Sequence, residues 1–146
     1  MFRTFVSPVL AAVALSALLF TAPSFAATVN YTASLKGSSE VPPTDSKGTG
    51  AVTATFDTAS KKLTYSVTYS GLSGPATAAH FHGPAAESAN ASPVVPVAAT
   101  ALASPIKGDA TLTDAQAADL AAGKWYFNVH TAANKGGEVR GQVMTK

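Results

Sequence analysis

The sequence predicts an all-β protein, an antiparallel β-sandwich or flattened barrel of about seven to eight strands with one short helix. Three observations carry that expectation. Apolar and polar residues alternate with a period of two over most of the chain, Gly/Pro/Asn/Asp clusters separate the alternating runs, and a helix start signal occurs once after the leader.

Val29, Tyr31, Ala33 and Leu35 alternate with Asn30, Thr32, Ser34 and Lys36, so the first strand has an apolar and a polar face. Val52, Ala54 and Phe56 repeat the pattern, as do Leu63, Tyr65, Val67 and Tyr69, and the short Asp57 to Lys62 link joins the two as an antiparallel hairpin. Gly37 to Gly50, broken by Pro42-Pro43, Asp45-Ser46 and Gly48, reads as an ordered loop. A fourth strand runs from Ala76 to His82 between the Gly71 to Pro75 turn and Gly83-Pro84. Pro84, Pro93 and Pro96 limit the next stretch to a long loop with a short edge strand at Val94 to Ala98.

Ile106, Gly108, Ala110 and Leu112 alternate again. Thr113 with Gln116 forms a capping-box pattern, Asp114 suits the positive end of a helix, and Gly123 can close it, which gives a helix over Asp114 to Ala122. Two strands follow, Lys124 to Thr131 and Glu138 to Val143, joined by the Asn134 to Gly137 turn. Trp125, Phe127 and Val129 share one face; Tyr126, Asn128 and His130 share the other.

Residues 1–26 have the three parts of a signal peptide. Arg3 gives a positive start, Phe5 to Phe20 is an uncharged run, and Ser24-Phe25-Ala26 places small residues at a cleavage site, leaving residues 27–146 as one domain. Pro23 and Ser24 close the run short of the ~20 residues that a membrane span needs, so no membrane association is expected after cleavage. The protein should therefore be periplasmic or secreted.

Charged residues make up 12% of the chain, the formal net charge is +2, and Lys61-Lys62 is the one adjacent basic pair; a nucleic-acid partner is not expected. There is no cysteine, so the core must hold the domain without disulfides, and zinc fingers, iron–sulfur clusters and cysteine nucleophiles are excluded. Any metal must use nitrogen or oxygen ligands.

The three histidines are His80, His82 and His130. Period-two geometry puts His80 and His82 on one face of a strand, and pairing with the Lys124 to Thr131 strand would bring His130 to the same spot. Three neutral imidazoles suit copper or zinc, with a fourth position for water or for Glu138 or Glu87. The competing reading gives the histidines only loop carbonyls to bond. Glu138 and Arg140 read as a clasp for neighbouring loops, with Glu40 as a partner for Arg140. Tyr65, Tyr69 and Tyr126 read as packing residues.

Glu40-Val41-Pro42-Pro43, Gly71-Leu72, Ala78 to Ala85 with its His80-Phe81-His82 centre, Gly123 to Thr131, and Gly137 to Gln142 together resemble the CHRD domain, a module named from chordin that also occurs singly in exported bacterial proteins. The resemblance spans about Ala33 to Val143 and implies an all-β extracytoplasmic module without a settled activity. In chordin the domain belongs to a binder of growth factors, a partner that does not transfer to this chain. The His-x-His strand is also similar to the copper-ligand strand of Cu/Zn superoxide dismutase, but the chain has no further histidines for a second metal and no disulfide.

These readings lead to an exported binding module holding one copper or zinc ion through His80, His82 and His130. One alternative is a metal-free structural or adhesive module meeting a protein or matrix partner; the other is a weak copper-dependent oxidoreductase. The chain has no Gly-x-Ser-x-Gly elbow, and histidines committed to a metal cannot serve as bases, so binding is favoured over catalysis.

Overall fold

The computed structural model describes residues 26–146; the expected signal peptide lies outside the described residues save for its last position. The strands are β1 (Thr28–Lys36), β2 (Thr49–Asp57), β3 (Lys62–Ser70), β4 (Ala76–His82), β5 (Pro93–Pro96), β6 (Ile106–Thr111), β7 (Trp125–Thr131) and β8 (Val139–Thr145), with helix α1 (Asp114–Ala121) before β7. They form one sheet in the order β5-β4-β7-β8-β1-β2-β3-β6. Every pairing is antiparallel. The sheet curls until its two halves meet: Tyr65 of β3 packs edge-on against Phe81 of β4, ring centroids 5.0 Å apart. The result is a nearly closed barrel around a core containing Leu35, Val52, Leu63, Phe81, Trp125 and Phe127.

The expected elements are present with shifted ends. β2 begins at Thr49 rather than Val52 because Thr49 pairs with both Lys36 and Ser70 and continues both ladders. The β2–β3 link is closed by Asp57, whose carboxylate accepts from the Ala59 and Ser60 amides at 3.0 and 2.7 Å. The capping box forms at Thr113 and Gln116, a device worth ~1 kcal/mol. The edge strand is Pro93–Pro96 rather than Val94 to Ala98, since edge prolines leave no ladder donor to lose. Gly141 of β8 lets the two backbones approach closely, because a Cβ there would strike the Ser34 carbonyl of β1.

One face of β7 departs from the alternating pattern. Tyr126 and Asn128 are as buried as Trp125 and Phe127, because the 83–92 loop folds over them and Tyr126 exchanges hydrogen bonds with the Ala91 backbone. A polar stripe in the sequence becomes an internal polar layer, and such a layer is stable only when its groups are paired.

Glu138 precedes β8 and is fully buried. It accepts from Ser46 Oγ at 2.7 Å, from the Ser73 amide at 2.7 Å, and from Ser73 Oγ and Thr131 Oγ1 at 2.5 Å each. Burial alone would raise its pKa, but the hydrogen bonds from Ser73, Thr131 and Ser46 outweigh that and hold it at about 2. It pins the 44–48 and 71–74 segments to the β7–β8 turn.

Glu138→Gln replaces an acceptor with an amide that points donors at donors. It is expected to cost about 2 kcal/mol or more of unfolding free energy at neutral pH, measured by denaturant titration. Because the folded pKa is depressed, the carboxylate's contribution is present above its ordinary 4.5 and is lost as pH falls through about 2. The gap between wild type and variant should therefore narrow in acid.

Candidate metal centre

The β4–β7 register builds the site. His80 lies opposite Asn128, His82 opposite Tyr126, and Ala78 opposite His130, so the His80 and His82 side chains share a face with Asn128 and His130. The rings converge. His80 lies 5.3 Å from His82 and 5.0 Å from His130 between centroids, and one ring nitrogen of each histidine lies within 4.8 Å of the others. Two separated stretches of chain thus bring all three imidazoles to one point, while neither Glu138 nor Glu87 joins the cluster. Glu138 is excluded because its oxygens are committed to Ser46, Ser73 and Thr131.

Each ring is oriented by named partners. His82 Nδ1–H donates to the Ala91 carbonyl at 2.9 Å, and His130 Nδ1–H donates to the Lys135 carbonyl at 2.9 Å. Their Nε2 atoms both face Asn128 Oδ1, at 3.0 and 2.9 Å. His80 Nδ1 lies 3.2 Å from His130 Nε2. His82 is 7% exposed and stacks on Tyr126 with ring centroids 4.7 Å apart and planes 3° from parallel. On the Tyr126 ring sits the Arg140 guanidinium, 3.4 Å from its centroid. Tyr126 is therefore a packing residue that also fixes the His82 plane.

Burial pushes the His82 pKa down, helped by the nearby His130 and Arg140 and opposed by its bonds to Ala91 and Asn128; burial and the neighbouring His130 and His82 push the His80 pKa down. At neutral pH both rings are neutral, the form that ligates a metal.

Arg140 does not pair with Glu40 or Glu138. It donates to Asn90 Oδ1 at 2.9 Å and to the carbonyls of Ala86, Glu87 and Ala89 at 3.5, 3.3 and 2.7 Å. Ion pairs among the described residues are Lys61–Asp114 and Lys62–Asp109. The expected clasp exists as two separate devices. Glu138 holds one end of the barrel, and Arg140 holds the 86–90 loop that delivers the Ala91 carbonyl to His82.

Sequence reasoning did not place Asn128 in the site, and it read Glu40 only as a partner for Arg140. Glu40 is 4% exposed and its Oε1 has no hydrogen-bond partner. It lies beside Asn128 at Gly137, where an added Cβ would clash with Glu40 Oε1 and stand 2.6 Å from Asn128 Nδ2. Burial raises the Glu40 pKa from 4.5 to about 7, against the opposing pull of the Arg140 charge and the Asn128 amide. The one signal for Asn128 was its place two residues before His130 on the same strand face.

The barrel and its histidine-lined layer define an all-β module with one preformed nitrogen-rich site. The family model of the CHRD domain matches residues 31–143, a span that includes all three histidines and most of every strand from β1 to β8. The chain belongs to the CHRD domain family. No curated protein and no solved structure matches it. No helix among the described residues is long and apolar enough to cross a membrane.

Glu40 and the histidines bias stability in opposite directions with pH. The raised Glu40 pKa means its contribution is present below its ordinary 4.5 and is lost as pH rises through about 7. The lowered His80 and His82 values mean stability is lost as pH falls below 6.5. Glu40→Gln is expected to be more stable than wild type at pH 8.5 by up to ~3 kcal/mol, with the difference vanishing near the ordinary carboxylate pKa. Denaturant titrations at the two pH values check this.

Proposed function

We propose that this CHRD module is an exported protein that holds one copper or zinc ion through His80, His82 and His130. The observation that carries the reading is the convergence of the three rings, with one nitrogen of each within 4.8 Å of the others. The Nδ1–H groups of His82 and His130 are spent on backbone carbonyls, which leaves their Nε2 lone pairs facing the common point. A backbone carbonyl behind a ligating imidazole is the usual outer-shell arrangement of protein metal sites. The depressed pKa values of His80 and His82 support the same reading, because the ligand form persists at neutral pH.

Export follows from the leader over residues 1–26, and with no cysteine the exported domain relies on its core alone. In the periplasm or outside the cell, such a module would handle, store or buffer copper, or keep it from redox damage. A second reading is favoured by one contact, Asn128 Oδ1 bridging His82 and His130. There the histidines clasp the 83–92 and 134–137 loops in a metal-free structural or adhesive module, and a protein or matrix partner would meet the polar outer strand faces.

Titration of the metal-free, untagged protein with Cu(II) and Zn(II) separates the two. The expected result is one ion per chain, with affinity reduced roughly 10–100-fold or more in each of His80→Ala, His82→Ala and His130→Ala. Equal affinity in all three variants leaves the metal-free module. Binding should weaken as pH falls below ~6.5, because protons compete for the imidazoles. At an ion concentration of 100 times Kd, thermal unfolding should show stabilisation of about 2.7 kcal/mol.

A further inference from the structure

We infer that the Asn128 side-chain oxygen is the fourth ligand of the ion held by His80, His82 and His130, completing a three-nitrogen, one-oxygen set suited to Cu(II). The inference rests on the reading of the three histidines as ligands and adds a residue which that reading does not need.

The first argument is a proton count. Asn128 Oδ1 lies 3.0 Å from His82 Nε2 and 2.9 Å from His130 Nε2, while the Nδ1 atoms of the same two rings face the carbonyls of Ala91 and Lys135 at 2.9 Å each. That makes four contacts from ring nitrogens to oxygens that can only accept. A neutral imidazole has one N–H, so two neutral rings supply two protons. The backbone carbonyls take them, which turns both Nε2 lone pairs towards the Asn128 amide, with His80 Nδ1 a second neighbour of His130 Nε2 at 3.2 Å. One ion between the amide oxygen and the nitrogens would use both lone pairs and the oxygen together, with no proton added.

The second argument is distance. Ligands held at about 2.0–2.1 Å from one ion and at right angles to each other stand ~2.9 Å apart. Going round the site, the separations are 3.2 Å from His80 Nδ1 to His130 Nε2, 2.9 Å from His130 Nε2 to Asn128 Oδ1 and 3.0 Å from Asn128 Oδ1 to His82 Nε2. Each is close to the spacing of neighbouring ligands on one ion, and the three histidine nitrogens all lie within 4.8 Å of one another. Mixed nitrogen and oxygen ligands suit Cu(II), the ion that binds such sets most tightly among the divalent first-row metals.

The third argument lies behind the amide. With Oδ1 turned to the ion, Nδ2 points away from it, towards the Gly136 carbonyl at 3.5 Å and the Glu40 carboxyl group. Glu40 Oε1 is a buried acceptor without a partner, and a small shift of the amide as it closes on an ion would give it one. Gly137 makes room for this approach, since any side chain there would occupy the space between Glu40 and Asn128.

The test compares wild type, Asn128→Ala and Asn128→Asp by Cu(II) titration and by electron paramagnetic resonance of the one-copper form, with circular dichroism to establish folding. Asn128→Ala should bind Cu(II) about 10–100-fold more weakly and show altered copper hyperfine coupling. Asn128→Asp keeps an oxygen in place and adds charge, so it should bind at least as tightly as wild type with a shifted spectrum. Should Asn128→Ala fail to fold, Asn128→Asp decides. Wild-type affinity and an unchanged spectrum in the folded variants overturn Asn128 as a ligand and leave the three-histidine site standing. Absence of copper binding by wild type overturns both.

Discussion

The antiparallel pairing of β4 with β7 is the constraint on which the rest of the site depends. Sequence neighbours on a strand can place His80 and His82 on one face, but only the register that sets His80 against Asn128 and Ala78 against His130 adds the third ring. A slip of one residue would turn His130 to the opposite face and leave Val129 beside the pair. Register is fixed by the core. Phe81 and Phe127 oppose each other across the same ladder and pack edge-to-face at 4.8 Å, both fully buried, so the apolar layer that stabilises the barrel is also what aligns the imidazoles.

The polar layer on the other side of these strands is stable because almost every group has a partner. The 83–92 loop covers it, and Arg140 holds that loop through Asn90 and three carbonyls. The guanidinium's remaining flat surface lies on Tyr126, whose other face stacks on His82. An arginine is suited to this task in a way lysine is not, because its planar fork donates along its edge and stacks with its face. The guanidinium, the tyrosine and the imidazole therefore form one column, and the orientation of His82 is inherited from a residue on β8.

Charge is handled differently at the two buried acids. Glu138 receives hydroxyl and amide donors on both oxygens and stays ionised down to about 2. Glu40 is nearly as buried, yet has an orphan oxygen and titrates near 7. The difference is donor supply rather than depth. Glu138 is a satisfied structural pin, while Glu40 retains unused acceptor capacity directly behind the histidine cluster.

The sequence by itself determined the strands, the capped helix and the two histidines of β4, because period-two alternation and turn chemistry are local and need no knowledge of the rest of the chain. Even the third histidine was legible, as a polar residue on a neighbouring strand with no other role. What only the tertiary structure decided was which polar residues face inward. Asn128 reads in sequence as a polar-face position, and Glu40 and Arg140 as partners in a loop clasp; all three are buried because the 83–92 loop and the 37–44 segment close over one face of β7 and β8. The closure depends on contacts between residues as far apart as Thr44 and Glu138, and no local pattern encodes a contact of that range.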